Sequence, residues 1–191
     1  MQRLSLIPAA AFACLGPGAF ASDMSDQAKA FYESTVLPLV TQPVVVEAIV
    51  ASNVATSAYG ADEVAELDRQ WAAEIGRADA PLINSVLSGP LAETLQQMVA
   101  DSSGLYTEVF IMDAQGLNVA ASGITSDYWQ GDEAKHAETY GAGPGGYHLS
   151  EIEFDESSQM YAVQASFAIE DPASGEVIGA ITFGLDAAVI E

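Results

Sequence analysis

Tyr128, Trp129 and Gln130 stand side by side, with Asp127 before them and Asp132 and Glu133 just after. Two adjacent aromatics beside an amide and carboxylates are the materials of a small-molecule pocket. The rings can wall it, the amide and acids can orient a guest by hydrogen bonds, and a cation can sit over a ring face. The plainer reading is a loop whose indole merely pins it to the rest of the fold, and residue types alone leave both open. Glu133 and Asp132 precede His136 by three and four residues, a spacing that on a helix shares one face and suits a metal, but only distant His148 offers a further ligand. A metal is therefore not expected. Gly141-Ala142-Gly143-Pro144-Gly145-Gly146 lacks the Gly-Lys-Ser/Thr ending of a phosphate loop and reads as a hinge. No Gly-x-Ser-x-Gly elbow and no His-Glu-x-x-His pair is present, so nothing assembles for catalysis and no cofactor is expected.

The elements that must position these residues fall into two halves. Residues 22–103 read as helical and residues 104–191 as strands with a long loop. Phe31, Val36, Leu39, Val40, Val46, Ile49 and Val50 recur at helical spacing between Asp26 and Ser57, where Pro38 and Pro43 should bend or break the helix. A second helix is expected over Asp62 to Ile75, with Val64, Leu67, Trp71 and Ile75 on one stripe and Trp71 as a core anchor. A third spans Pro81 to Ala100, interrupted near Gly89-Pro90. Strands are expected at Tyr106 to Asp113, Leu117 to Ser122, Tyr147 to Phe154, Gln159 to Ile169 and Val177 to Asp186. Helices followed by hairpin-linked strands give an α+β domain with an antiparallel sheet.

Alternation along the last two strands separates two unlike faces. Tyr161, Val163, Ala165, Phe167 and Ile169 with Val177, Ile181, Phe183 and Leu185 form a bulky face suited to the helices. Met160, Ala162, Gln164, Ser166 and Ala168 with Ile178, Ala180, Thr182, Gly184 and Asp186 form a lighter one that leaves room for a small concave site.

At the N-terminus, Arg3, the apolar run Leu4 to Phe20 and the pattern Ala19-Phe20-Ala21 read as a secretory signal peptide cleaved near Ala21. The one cysteine, Cys14, would leave with it, so stability must come from a hydrophobic core and not from disulfides. Residues 22–191 suit a single domain. The chain carries 27 acidic against five basic residues, a formal charge of −22. Such a surface repels phosphate backbones and excludes nucleic-acid binding.

The strand Tyr106 to Asp113 with its Val-Phe-Ile-Met-Asp-x-x-Gly run, the turn at Gly116, the second strand and the loop from Ser126 to Tyr140 together resemble the Cache (PDC-like, extracytoplasmic PAS-like) sensor family. The resemblance implies long N-terminal helices packed on one face of a roughly five-stranded antiparallel sheet, with a ligand held on the other. It places ligand contact at Tyr128, Trp129, Gln130, Asp132 and Asp127, with Tyr106, Tyr147, Gln164, Thr182 and Asp186 as further lining. It implies a periplasmic location and a small-molecule ligand whose occupancy is presented to a membrane histidine kinase or chemoreceptor. A homodimer through the N-terminal helix is a further implication. The chain lacks the Arg-x-Trp plus Tyr arrangement of the amino-acid-binding group, and Lys135 is its only basic residue after Arg77, so a neutral or cationic ligand is expected. No membrane helix or signalling module follows the last strand, so the signal is expected to pass through another protein. The competing expectation is an interaction module whose pocket is filled by its own side chains.

Overall fold

The computed structural model describes residues 24–155 and 159–190; the expected leader lies outside them. Ser25 caps the first helix, its hydroxyl accepting from the Ala28 N–H at 3.2 Å. Helix α1 (Asp26–Phe31) runs through a π-helical turn (Tyr32–Val36) into α2 (Leu37–Val40), so Pro38 is absorbed without a break. The wider turn contains Ser34, the residue whose carbonyl a proline ring four positions later would otherwise crowd. The break comes at Thr41 and Gln42. Helix α3 (Pro43–Thr56) then opens with proline in its first turn, where the missing N–H has no partner to lose. Helices α4 (Ala61–Glu74), α5 (Pro81–Leu87) and α6 (Pro90–Asp101) follow, the last two also opened by proline.

Strands β1 (Tyr106–Met112), β2 (Asn118–Ala121), β3 (Tyr147–Leu149), β4 (Glu153–Asp155), β5 (Met160–Glu170) and β6 (Val177–Asp186) form one antiparallel sheet of order β2-β1-β6-β5-β3. β4 also pairs with β5, against its first residues, so β3 and β4 are two pieces of one edge position. The sheet therefore has the five expected places, with the third expected strand broken at residues 150–152. The described residues also include two short α-helices, α7 (Ala134–Ala137) in the long loop and α8 (Ala187–Ile190) after β6, and a 3-10 turn at Tyr140–Ala142.

Cross-strand registers define the two faces. Ile111, Ile181, Phe167 and Tyr147 form one row, facing α1–α3 and α6 in a core with Val36, Val45, Ile49 and Leu95. Ala121, Phe110, Thr182, Ser166 and His148 form a row on the opposite face. The bulky set thus packs on the helices as expected. Ile178, on the lighter face by simple alternation, joins the helix-side core instead, beside the register shift at Ile169/Glu170.

The second face is not left bare. Trp71 from α4, fully buried, and Ile83 and Val86 from α5 pack there on Phe110, Met112 and Ala180. The helices are therefore divided between the faces. Only the part of the lighter face nearer β5, β3 and β4 remains for the loop and a site.

Candidate functional site

The loop between β2 and β3 is fastened first by Asp113, which is fully buried at the end of β1. One carboxylate oxygen accepts from the hydroxyls of Ser52 (2.9 Å) and Thr56 (2.8 Å) on α3, the other from the N–H groups of Gln115 (2.9 Å) and Leu117 (3.0 Å). Four donors replace the water that a buried carboxylate has lost. Gly116, at φ 81°, makes the turn, and a Cβ there would come within 2.5 Å of the Gly131 Cα. Glycine at both positions lets turn and loop touch. The Gln130 N–H donates to the Gly116 carbonyl at 2.8 Å, and Leu117 bridges to Trp129.

The aromatic pair therefore works mainly as anchor. Trp129 donates its indole N–H to the Gln115 carbonyl at 2.9 Å, and the backbone N–H groups of Tyr128 and Trp129 both donate to Asp68 Oδ1, at 2.9 and 3.0 Å. Tyr128 stacks on Trp71, ring centroids 5.5 Å apart, and its hydroxyl pKa is pushed up to about 12 by burial and by the nearby charges of Asp113 and Tyr59. Gln130 is 1% exposed; its amide donates to the Asp127 carbonyl and accepts from the Lys135 ammonium at 3.0 Å. The sequence resemblance gave Tyr128, Trp129 and Gln130 as ligand contacts, with a loop pinned by its indole as the plainer reading. Gln130 is buried and Tyr128 and Trp129 are half-buried, because the backbone of 128–130 pairs with the β1–β2 turn and their polar atoms complete that pairing.

Beyond the anchor, α7 crosses the lighter face. The His136 ring stacks on Tyr140 with Nε2 3.3 Å from the Asp113 carbonyl, and burial lowers its pKa despite the opposing pull of Asp113 and Gly131. No group of three His, Cys, Asp or Glu side chains placed to hold a metal occurs among the described residues. His148 on β3 meets Glu138 at 2.8 Å and ties the far end of the loop to the sheet.

Under this roof lies a cavity of about 260 Å3 lined by Asp127, Glu133, Lys135, Glu153, Phe154 and Gln164, together with Ser126, Ser150 and Ala162. Lys135 is 8% exposed, its ammonium 2.9 Å from Glu133 and 5.6 Å from the centre of the Phe110 ring. The lining is polar and mainly acidic, with one cation in the wall. A more open groove of about 540 Å3 lies on the outer side of the same loop, bounded by Asp68, Arg69, Trp129 and Asp132; Asp127 and Glu133 line both spaces.

Of the ten residues expected to form the site, Asp127 and Gln164 line the cavity, and Asp127, Trp129 and Asp132 line the outer groove. Thr182 is fully buried on the same face, its hydroxyl 2.9 Å from that of Ser166. Asp186 ends β6 and accepts from the Ala188 N–H at 2.9 Å, at the start of α8. Tyr106 and Tyr147 lie on the other face: Tyr106 meets Phe183 edge-on at 5.3 Å and Tyr147 shares the row of Phe167. A sheet separates them from the cavity. Lys135, Glu153 and Phe154, with Ser126 and Ser150, line the cavity without having been singled out by spacing. Lys135 had a signal, as the lone cation of the sheet half.

The architecture is α+β, with helices packed on both faces of the antiparallel sheet and a roofed polar cavity on the lighter face. No family model matches the sequence, and neither does any curated protein. Among solved structures the chain is similar to the sensor domain of the Vibrio cholerae histidine kinase DctB, with 14% identity over 86% of this chain and 59% of that one, at a TM-score of 0.39. It is also similar to the ligand-binding domain of the Campylobacter jejuni chemoreceptor Tlp3 in complex with L-valine (14% identity, 85% and 64% covered, TM-score 0.41). A third is that of the Pseudomonas fluorescens chemoreceptor CtaA in complex with L-serine (12% identity, 86% and 61% covered, TM-score 0.40). The chain spans about three fifths of the length of these structures. They are the sensor domain of a kinase and the ligand-binding domains of chemoreceptors.

Proposed function

We propose that this chain is an exported, periplasmic sensor domain that binds a small polar molecule between β5 and the loop and presents its occupancy to a membrane histidine kinase or chemoreceptor. The observation that carries this reading is the cavity itself. It is concave, near the lower end of the range of small-molecule sites at about 300 Å3, and lined by a few convergent polar groups. Three carboxylates in the wall favour donors over acceptors on the ligand, hence a neutral or cationic molecule. The loop is fastened at one end by Asp113 and at the other by the Glu138–His148 pair, which leaves α7 as the segment that closes over a guest.

The test is a thermal-shift and calorimetric screen of the protein against amines, sugars, amino acids and short organic acids. A ligand at a hundredfold excess over its Kd should stabilise the native state by about 2.7 kcal/mol. Glu153→Gln should weaken that ligand without lowering the melting temperature, because Glu153 is exposed on the cavity rim.

The second reading, a docking module with a self-filled pocket, draws on the burial of Gln130 and Lys135 beneath the roof. Silence across the screen, with no co-purified small molecule by native mass spectrometry, would favour it. A second copy is proposed to meet this one through the N-terminal helices, where Val44, Val50 and Val54 of α3 stand exposed. Sedimentation showing a monomer at high micromolar concentration would remove that part of the proposal.

A further inference from the structure

We propose that Lys135 is an internal ligand: its ammonium fills a site built for a primary amine, and the external ligand of this cavity is a small alkylammonium that takes its place. The inference rests on the reading of this cavity as a ligand site and names the class of molecule it receives. Around the Lys135 nitrogen stand the Glu133 carboxylate at 2.9 Å, the Gln130 amide oxygen at 3.0 Å and the face of Phe110 at 5.6 Å. A carboxylate, a carbonyl-type oxygen and an aromatic face are the groups that recognise an ammonium. Gln130 is held in that orientation by its own donation to the Asp127 carbonyl at 2.8 Å, so its oxygen is fixed toward the cation.

The cavity opens directly onto this position, since Glu133 and Lys135 are both in its wall. The remaining acids, Asp127 and Glu153, repel a carboxylate guest and attract a cation to the entrance. An amine that enters cannot share the position with Lys135. A tethered competitor acts at an effective concentration in the mM range or above, so Lys135 lowers the apparent affinity of the wild-type protein for the very ligand that its surroundings select. Displacement also has a place to be read. The Lys135 carbonyl accepts from Thr139 Oγ1 at 2.5 Å, and the neighbouring His136 touches the Asp113 carbonyl, so movement of Lys135 acts on the roof helix and the hub below it.

Lys135→Ala removes three carbons and the nitrogen, the heavy atoms of n-propylamine, and the test uses that molecule with n-propanol and propionate as controls at equal ionic strength. The expected result is that propylamine binds Lys135→Ala at least tenfold more tightly than wild type and raises its melting temperature, that propanol and propionate do neither, and that adding Glu133→Gln removes the effect. Equal binding to wild type and variant, no rescue, or equal rescue by propanol would overturn the proposal. If the variant does not fold in buffer, its refolding yield with propylamine against propanol decides: recovery with the amine alone supports the site, equal or no recovery overturns it. Wild-type binding of a neutral ligand without amine rescue of the variant would leave the sensor reading standing and this one refuted. Amine rescue of the variant with a wild type that answers to nothing in the screen, amines included, would make Lys135 a permanent occupant and overturn the external ligand together with the sensor reading.

Discussion

The two faces of the sheet are made by alternate residues of the same strands, yet they are held by different forces. On one, Val109, Ile111, Phe167, Ile181 and Phe183, all at most 1% exposed, bury apolar area against α1–α3 and α6. On the other, beside the apolar packing of Trp71, Ile83 and Val86 on Phe110, the polar Thr182, Ser166, Gln130, Lys135, His136 and Thr139 are at most 8% exposed, and what holds them is a set of hydrogen bonds. The first face tolerates similar volumes in any arrangement that fills space; the second is correct only when each donor finds its acceptor. A protein that must place a few polar groups around a guest has reason to keep the two apart. The lesson is that apolar packing serves both sides of the sheet, whereas the polar arrangement around the cavity is confined to one.

The widest separation is expected from Phe183→Ala. It deletes a fully buried ring that meets Phe31 and Tyr106 edge-on, at 5.2 and 5.3 Å, and should cost about 3–5 kcal/mol. Chemical denaturation should show the loss while ligand affinity of the folded fraction stays unchanged; a large affinity change would mean that the faces are not independent. Next comes Asp113→Asn, on the loop side. It replaces a carboxylate with four donors by an amide whose NH2 must face the Ser52 and Thr56 hydroxyls, which then accept instead of donate, so charge-assisted bonds are lost at a cost of roughly 1–3 kcal/mol. Hydrogen exchange should locate the damage at residues 113–118 and 128–136, leaving the helix-side strands protected. Thr182→Val keeps the shape and strands the Ser166 hydroxyl, for about 1–2 kcal/mol. A neutral result would show that this pair contributes nothing beyond its volume.

Much of this contrast is legible in the sequence, and the part that is not has a common cause. Alternation along Gln159 to Ile169 separates Phe167 from Ser166 because period two is a local property, and the helical stripe finds Trp71 for the same reason. Tyr106 and Tyr147 were misplaced because polarity stood in for position: each has a hydroxyl and suits a pocket, but register with Leu185 and Phe167 puts both on the helix side. Asp113 sits in the motif that carries the family resemblance, yet its part as a hub depends on Ser52 and Thr56, 61 and 57 residues earlier. No window of sequence contains that pairing. Lys135 is conspicuous as a lone cation, but its choice of Glu133 and Gln130 over the many other acids follows from how the loop crosses the sheet.

The smallest expected effect is a dependence on pH that only the polar face can have. His136 is buried against Tyr140 and the Asp113 carbonyl, and burial holds its pKa below the ordinary value of 6.5 even though Asp113 and Gly131 pull the other way. A base with a lowered native pKa takes up its proton more readily in the unfolded chain. The stability tied to its neutral form is therefore complete above about pH 6.5 and is lost as pH falls from there toward the native value. Other groups titrate lower: Glu74 on the α4–α5 side is raised by burial but held below the usual carboxylate range overall by hydrogen bonds from Gln70, Ile83 and Leu82 and by Arg77. Its contribution is present above the ordinary carboxylate pKa and declines only in acid, so the two windows are distinct. Denaturation midpoints measured from pH 7.5 to 5.5 should fall in wild type, and the fall should be shallower in His136→Gln, with Phe183→Leu as a helix-side control that keeps the wild-type slope. If His136→Gln keeps that slope too, the imidazole is already solvated in the native state, and the roof over the cavity is looser than its hydrogen bonds imply.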